Sequence, residues 1–416
     1  MLRSWLRLAL VAVSFLALLL VTTACEDPVR IDDREPPREL SPQEVAVVEA
    51  DRSFGLSLYG ALRDAEPDEN LFISPLSVSM ALGMSLNGAE GQTFDDLAST
   101  LYLGDRSRAE INQGFRDLID LLVDLDPRVT FQLANAIWHS DTFELEEDFL
   151  ETNREYFDAT VEGLDFSSDA AVDRMNRWVE ENTNGHIPEI VEAPIDPGMV
   201  MYLMNALYFQ GDWRHQFDAD RTEDADFTRA DGSTLTVDMM QQEEARRFAS
   251  FENDQMQMID LPYGDSLFSM TIVLPKEEED LASVVGDLDA ETWQTWIDSL
   301  TRGRLFLEMP RFELEYEKSL VEVLDALGLD SALDGRRADF SGINAEMNDL
   351  YISKVDHKTF LRVDEEGTEA AAATSVGFAP VSAPRAFRVD RPFFLTIREQ
   401  HSGTILFIGH VIDPSA

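Results

Sequence analysis

Apolar residues along the chain recur with a helical period in some stretches and alternate in others. Ser41-Pro42-Gln43-Glu44 supplies a capping hydroxyl, a proline at the first helical position and a glutamate three residues past the cap, after which Phe54, Leu58 and Leu62 share one face. A helix is predicted there, with others over 75–88, 109–125, 170–182 and 318–327. Clusters of β-branched and aromatic residues predict strands at 203–209, 268–274, 304–309, 394–398 and 405–411. Helices and strands mix without the regular alternation of a doubly wound sheet, so the fold class is α+β with a large, mainly antiparallel component. Past Ser41 there is no proline-rich break, repeat or low-complexity tract, and residues 41–416 read as one large domain.

The start of the chain has a different pattern. Arg3 and Arg7 precede an almost wholly apolar run from Leu8 to Val21, and Thr22-Thr23-Ala24 leads into Cys25. Residues 1–24 are expected to be an export signal of the lipoprotein type, with Cys25 the lipid-bearing residue and the protein held on a membrane facing the periplasm or cell exterior. Thr22 stands where that motif usually has leucine, and an uncleaved anchor or simple secretion are the alternatives. Cys25 is the single cysteine, so no internal disulfide forms. Residues 25–40, charged and proline-rich, read as a flexible acidic spacer.

Composition narrows the function. With 80 acidic against 33 basic residues the net charge is −47, which repels nucleic acid and anionic surfaces. Lysine occurs only at 276, 318, 354 and 358; the acidic, lysine-poor balance fits a saline habitat or a GC-rich genome equally. Gly264-Asp265-Ser266-Leu267 matches a short hydrolase signature, but the one Asp-x-x-His, Asp212 to His215, precedes the serine, and the segment reads more simply as a turn into a strand. The six histidines show no i, i+4 pair, and no glycine-rich phosphate loop is present. No catalytic constellation emerges, so neither an enzyme nor a cofactor is expected.

One stretch stands out against this charge. Residues 364–384 read DEEGTEAAAATSVGFAPVSAP, acidic up to Glu369 and then without charge from Ala370 to Pro384, in a chain that is 27% charged. As a helix it has no stabilising face, and as a linker it would carry charge like residues 26–40. With period two, Thr368, Ala370, Ala372, Thr374 and Val376 fall on one side and Glu369, Ala371, Ala373, Ser375 and Gly377 on the other. Small side chains, and no proline before Pro380, suit a segment able to enter a sheet between two existing strands. A permanently exposed loop is the plain alternative.

Several further motifs, in order, carry a resemblance. Asn70-Leu71-Phe72-Ile73-Ser74-Pro75-Leu76-Ser77 with Asn87-Gly88-Ala89, Asn176-Arg177-Trp178-Val179 with Thr183-Asn184-Gly185-His186-Ile187, and Asn205-Ala206-Leu207-Tyr208-Phe209 with Gly211-Asp212-Trp213 are followed by Asp364 to Thr374, Arg391-Pro392-Phe393-Phe394 and Gly409-His410-Val411-Ile412-Asp413-Pro414. From about Ser41 to Pro414 the chain closely resembles a serpin. The resemblance implies a metastable fold with a large central sheet, smaller sheets, surrounding helices and an exposed reactive loop at about 365–390. A target protease cleaves that loop, is trapped as an acyl-enzyme, and is displaced when the loop inserts as a new central strand.

The family's roles transfer residue by residue. Glu365, Glu366, Gly367, Thr368, Glu369, Ala370, Ala371, Ala372 and Ala373 match the hinge, whose small residues mark inhibitory members; a non-inhibitory binding or carrier role is the alternative. The usual loop length places the reactive bond between Val381 and Ser382, with Phe378, Ala379 and Pro380 setting specificity and an elastase-like serine protease as partner in a covalent 1:1 complex. Cleavage after Phe378 would point instead to a chymotrypsin-like target, and cleavage after Arg385 to a trypsin-like one; a subtilisin-like partner is a further possibility. Ser74, Ser77, Asn205 and His357 match a shutter of buried hydrogen bonds, Trp213 the aromatic beneath first insertion, and Arg311 the partner of Glu365. Heparin is not expected as a partner, because Glu90 to Leu122 holds more acids than bases and no lysine. The inhibitor is expected to be a monomer.

Overall fold

The computed structural model describes residues 37–347, 349–368 and 385–415. Its first long helix, Pro42–Ala65, starts as the capping chemistry requires: Ser41 Oγ accepts from the Glu44 amide at 3.1 Å while the Glu44 carboxylate accepts from the Ser41 amide at 3.1 Å. Phe54, Leu58 and Leu62 are fully buried. Contacts reach back past Ser41 into the segment read as spacer. Arg38 grips the buried Glu44 carboxylate at 2.6 and 2.8 Å and donates to the Asp117 carbonyl, while its own carbonyl meets His401 Nε2 at 2.7 Å.

Further helices lie at Pro75–Leu86, Arg108–Leu122 and Asp169–Asn182, within a few residues of expectation. The fourth differs: the helix is only Val321–Ala326, because Lys318 and Ser319 complete a strand whose Phe312, Leu314 and Tyr316 alternate inward. Strands in chain order are β1 (Leu71–Ile73), β2 (Val129–Ser140), β3 (Thr160–Leu164), β4 (Met201–Asp212), β5 (Glu223–Thr228), β6 (Thr234–Gln241), β7 (Arg246–Glu252), β8 (Met256–Pro262), β9 (Phe268–Pro275), β10 (Thr301–Pro310), β11 (Phe312–Ser319), β12 (Asp356–Val363), β13 (Gly367–Thr368), β14 (Arg385–Arg388), β15 (Phe393–Glu399) and β16 (Ile405–Val411).

The strands form three ladders. A ten-stranded sheet runs β1-β16-β15-β9-β8-β7-β10-β6-β5, with β14 joined to β10. Strands β9, β15 and β16 are buried along their whole length, which fits their largely apolar sequences, and Ser269, Thr271, Thr396, Arg398, Glu399 and His410 are buried with them. The other two ladders are β13-β4-β2-β3 and the pair β11-β12. The long β2–β4 pairing, from Val129 opposite Gly211 to His139 opposite Met201, carries the Asp169–Asn182 helix on one face, where Trp138 and Trp178 meet edge to face at 5.8 Å beside Met175. Among the described residues no helix is long and apolar enough to cross a membrane, and no group of three or more His, Cys, Asp or Glu is arranged to hold a metal ion.

Candidate functional site

Of the residues matched to the shutter, Asn205 lies on β4 and His357 on β12. β4 is laddered to β2 and β12 to β11, but among the described residues no ladder or bridge joins β4 to β12. Side chains from both strands nevertheless meet across the seam. His186, just past the Asp169–Asn182 helix, lies parallel to Tyr208 of β4 at 5.7 Å and to Phe360 of β12 at 4.6 Å. Asn184 and Gly185 both take positive φ, and that turn delivers the imidazole. Farther along, β4 and β12 flank a cavity of about 560 Å³ whose wall includes Ser77, Asn205 and His357.

At the other end the hinge is part of the sheet. Gly367 and Thr368 pair antiparallel with Asp212 and Gly211, and the Trp213 amide donates to the Glu366 carbonyl at 2.8 Å. A Cβ at Gly367 would fall 2.2 Å from the Gly211 carbonyl oxygen, so only glycine permits this approach. Trp213 lies beneath, buried, stacked on Tyr263 at 4.4 Å and donating from Nε1 to the Asp364 carbonyl at 2.9 Å. Asp364 turns the chain by accepting from the Glu366 and Gly367 amides.

Glu365 and Arg311 meet at 2.6 Å, the guanidinium half-exposed and the carboxylate buried. The carboxylate is 7% exposed and also accepts from Thr222 Oγ1 at 2.5 Å. Burial pushes this carboxyl up; the hydrogen bonds from Thr222 and Arg311 outweigh it and hold it below the usual range.

The four residues matched to the shutter divide into two groups. The buried Ser74 amide donates to His357 Nε2 at 3.0 Å, and Ser74 Oγ caps the Pro75–Leu86 helix by accepting from the Ser77 amide at 3.2 Å. Asn205 instead donates sideways to Asn135 of β2 at 2.9 Å, and its buried Oδ1 has no partner among the described residues. The hydrogen bonds therefore stay on either side of the seam rather than crossing it. Burial pushes His357 down to about 4, so the ring that accepts from Ser74 is neutral.

Glu369, Ala370, Ala371, Ala372, Ala373, Phe378, Ala379, Pro380, Val381, Ser382 and Cys25 lie outside the described residues. Arg385, the alternative cleavage position, opens β14 beside Leu305 and pairs with Glu252, so cutting after it would sever a strand. Ser266 sits in a turn at positive φ, its Oγ accepting from Arg214 at 2.9 Å, as expected of a connector into β9. Sequence reasoning counted His186 among motif residues without giving it a task; its signal was the Asn-Gly turn before it.

Residues 49–414 match the family described as Serpin (serine protease inhibitor). The chain belongs to the serpin family. It is 32% identical to neuroserpin of Homo sapiens over 377 residues, covering 88% of this chain and 91% of that protein, and 35% identical to leukocyte elastase inhibitor of Sus scrofa over 376 residues, covering 88% and 98%. Among solved structures, human thyroxine-binding globulin complexed with thyroxine superposes with a TM-score of 0.81 at 29% identity, covering 90% of this chain and all of that one, and the thermophilic serpin tengpin in its native state with 0.80 at 28%, covering 91% and 96%. The serpin fold, with a large antiparallel sheet, smaller sheets and helices, is thus established.

A buried neutral histidine predicts a pH dependence. The unfolded chain takes a proton on His357 near pH 6.5 and the folded one only near pH 4, so stability is full above the higher value and lost as pH falls through this window, by about 1.4 kcal/mol per unit. His357→Gln, which keeps an acceptor for Ser74, should lose less of its thermal midpoint than the parent between pH 7 and pH 5; equal losses would show that this histidine does not set the dependence.

Proposed function

We propose that this serpin inhibits serine proteases as a suicide substrate, with an elastase-like enzyme as target. The observation that carries the proposal is the hinge: Gly367 and Thr368 already pair with β4 at the mouth of a seam that no ladder closes among the described residues. The protease serine attacks the Val381 carbonyl, the bond to Ser382 breaks, and the proton passes through the protease histidine to the new Ser382 amine, leaving an ester. Residues from Thr368 onward then enter between β4 and β12. Each inserted residue adds two ladder hydrogen bonds, worth about 2 kcal/mol together, against about 1–2 kcal/mol for ordering its backbone. Alanines 370–373 add no side-chain entropy cost, and burial of their methyl groups tips the balance. A charge on the inner face would reverse it. Deacylation stalls because the displaced catalytic groups lose their geometry.

A carrier role is the other reading, as the thyroxine complex illustrates for a relative. The uncharged small-residue segment argues against it, since a carrier has no need of an insertable strand.

We further propose that Cys25 is lipidated, which would tether the inhibitor to a membrane. Palmitate label on the parent and none on Cys25→Ala is the expected outcome; label on both would rule it out. For the mechanism, an elastase-type protease should form an SDS-stable complex and release a fragment beginning at Ser382, whereas Thr368→Arg should be cut at the same bond without trapping the enzyme. Retained trapping by Thr368→Arg would refute insertion.

A further inference from the structure

The net charge of the chain is −47, yet one face of a strand pair is cationic. β7 and β10 run antiparallel with Arg247 directly opposite Arg304 and Ala249 opposite Arg302. Opposite residues share a face, as do residues two apart on one strand, so Arg247, Arg302 and Arg304 project to the same side. All three are exposed. Like charges facing each other across a ladder are destabilising. Arg304 donates to the Ala245 carbonyl at 3.0 Å and Arg246 is spent on Glu244 at 2.7 Å, but Arg247 and Arg302 have no ion-pair partner among the described residues.

The position of this patch matters as much as its charge. β7 follows β10 as far as Leu305, and from Leu305 onward β14 runs beside β10, beginning with Arg385. The cations therefore border the strand by which the reactive-loop segment rejoins the body. On a molecule that repels acidic partners almost everywhere else, a local reversal of sign acts where the partner must settle.

We propose that Arg247, Arg302 and Arg304 form a docking surface for an acidic patch on the target protease, beside the loop; the identity of the partner rests on the inhibitory reading above. A long polyanion fits less well, because beyond the patch it meets carboxylate on the same face: the register from Pro310 through Met239 puts the exposed Glu223 of β5 there, two strands away.

The test uses two elastase-type serine proteases, one with an acidic and one with a basic surface, each with its catalytic serine replaced by alanine. They are bound to the full-length parent, to Arg247→Ala/Arg302→Ala/Arg304→Ala and to the corresponding triple lysine variant. At about 0.05 M salt the alanine variant should associate roughly tenfold more slowly with the acidic protease, and the difference should fall below about twofold at 0.5 M. The basic protease should not be slowed, and lysine should restore the parent rate. Equal rates for parent and alanine variant with the acidic protease overturn the proposal, as does equal slowing with both proteases or failure of lysine to rescue. Arginine-dependent retention of a heparin dodecasaccharide, with no effect on the acidic protease, would assign the patch to polyanions and overturn it too. Inactive proteases report docking without cleavage, so a patch that binds them stands even if the active enzyme forms no covalent complex, the outcome that would sink the inhibitory reading instead.

Discussion

Backbone hydrogen bonding at the β4–β12 seam is the constraint on which the rest of this structure depends. Buried amides and carbonyls demand partners, and β4 and β12 each satisfy one side through β2 and β11. Among the described residues the contact between them is made by His186, set against Tyr208 and Phe360, and at one end the backbone of Gly367 and Thr368 pairs with β4. Rings stacked across a seam part more readily than a ladder, because no row of directional bonds must break together.

The polar groups nearby are arranged so that the seam can open without stranding charge. His357 is neutral and bound to Ser74, and Asn205 is bound to Asn135, so separating β4 from β12 breaks neither bond. Of the hinge carboxylates, Glu365 is bound by Arg311 and Thr222, ahead of the Gly367–Thr368 pairing. The turn made by Asp364 and the glycine at 367 bring the chain against Gly211 with no side chain in the way. The uncharged stretch from Ala370 to Pro384 follows in sequence.

Much of this was legible before any coordinates. The capping box at Ser41 and the residue clusters at 304–309 and 405–411 specify their elements by local chemistry alone. The helix expected over 318–327 overran because Lys318 has good helical propensity, while its pairing with His357 is a long-range fact no local window contains. Likewise Arg38 sits in a charged, proline-rich stretch that looks unstructured until Glu44, Asp117 and His401 are brought around it by the fold. At the site, Ser74, Ser77, Asn205 and His357 were found through motif resemblance, but their division between the two sides of the seam required three dimensions. His186 needed the same, since its neighbours Tyr208 and Phe360 are remote in sequence.

The central claim is that the intact chain is held in a higher-energy arrangement, relieved when the loop is severed. Thermal unfolding of the intact protein and of protein nicked between Val381 and Ser382, under identical conditions, tests it most directly. Insertion of a full strand should raise the midpoint by more than about 20 °C. A nicked form that melts at or below the temperature of the intact one would contradict the account.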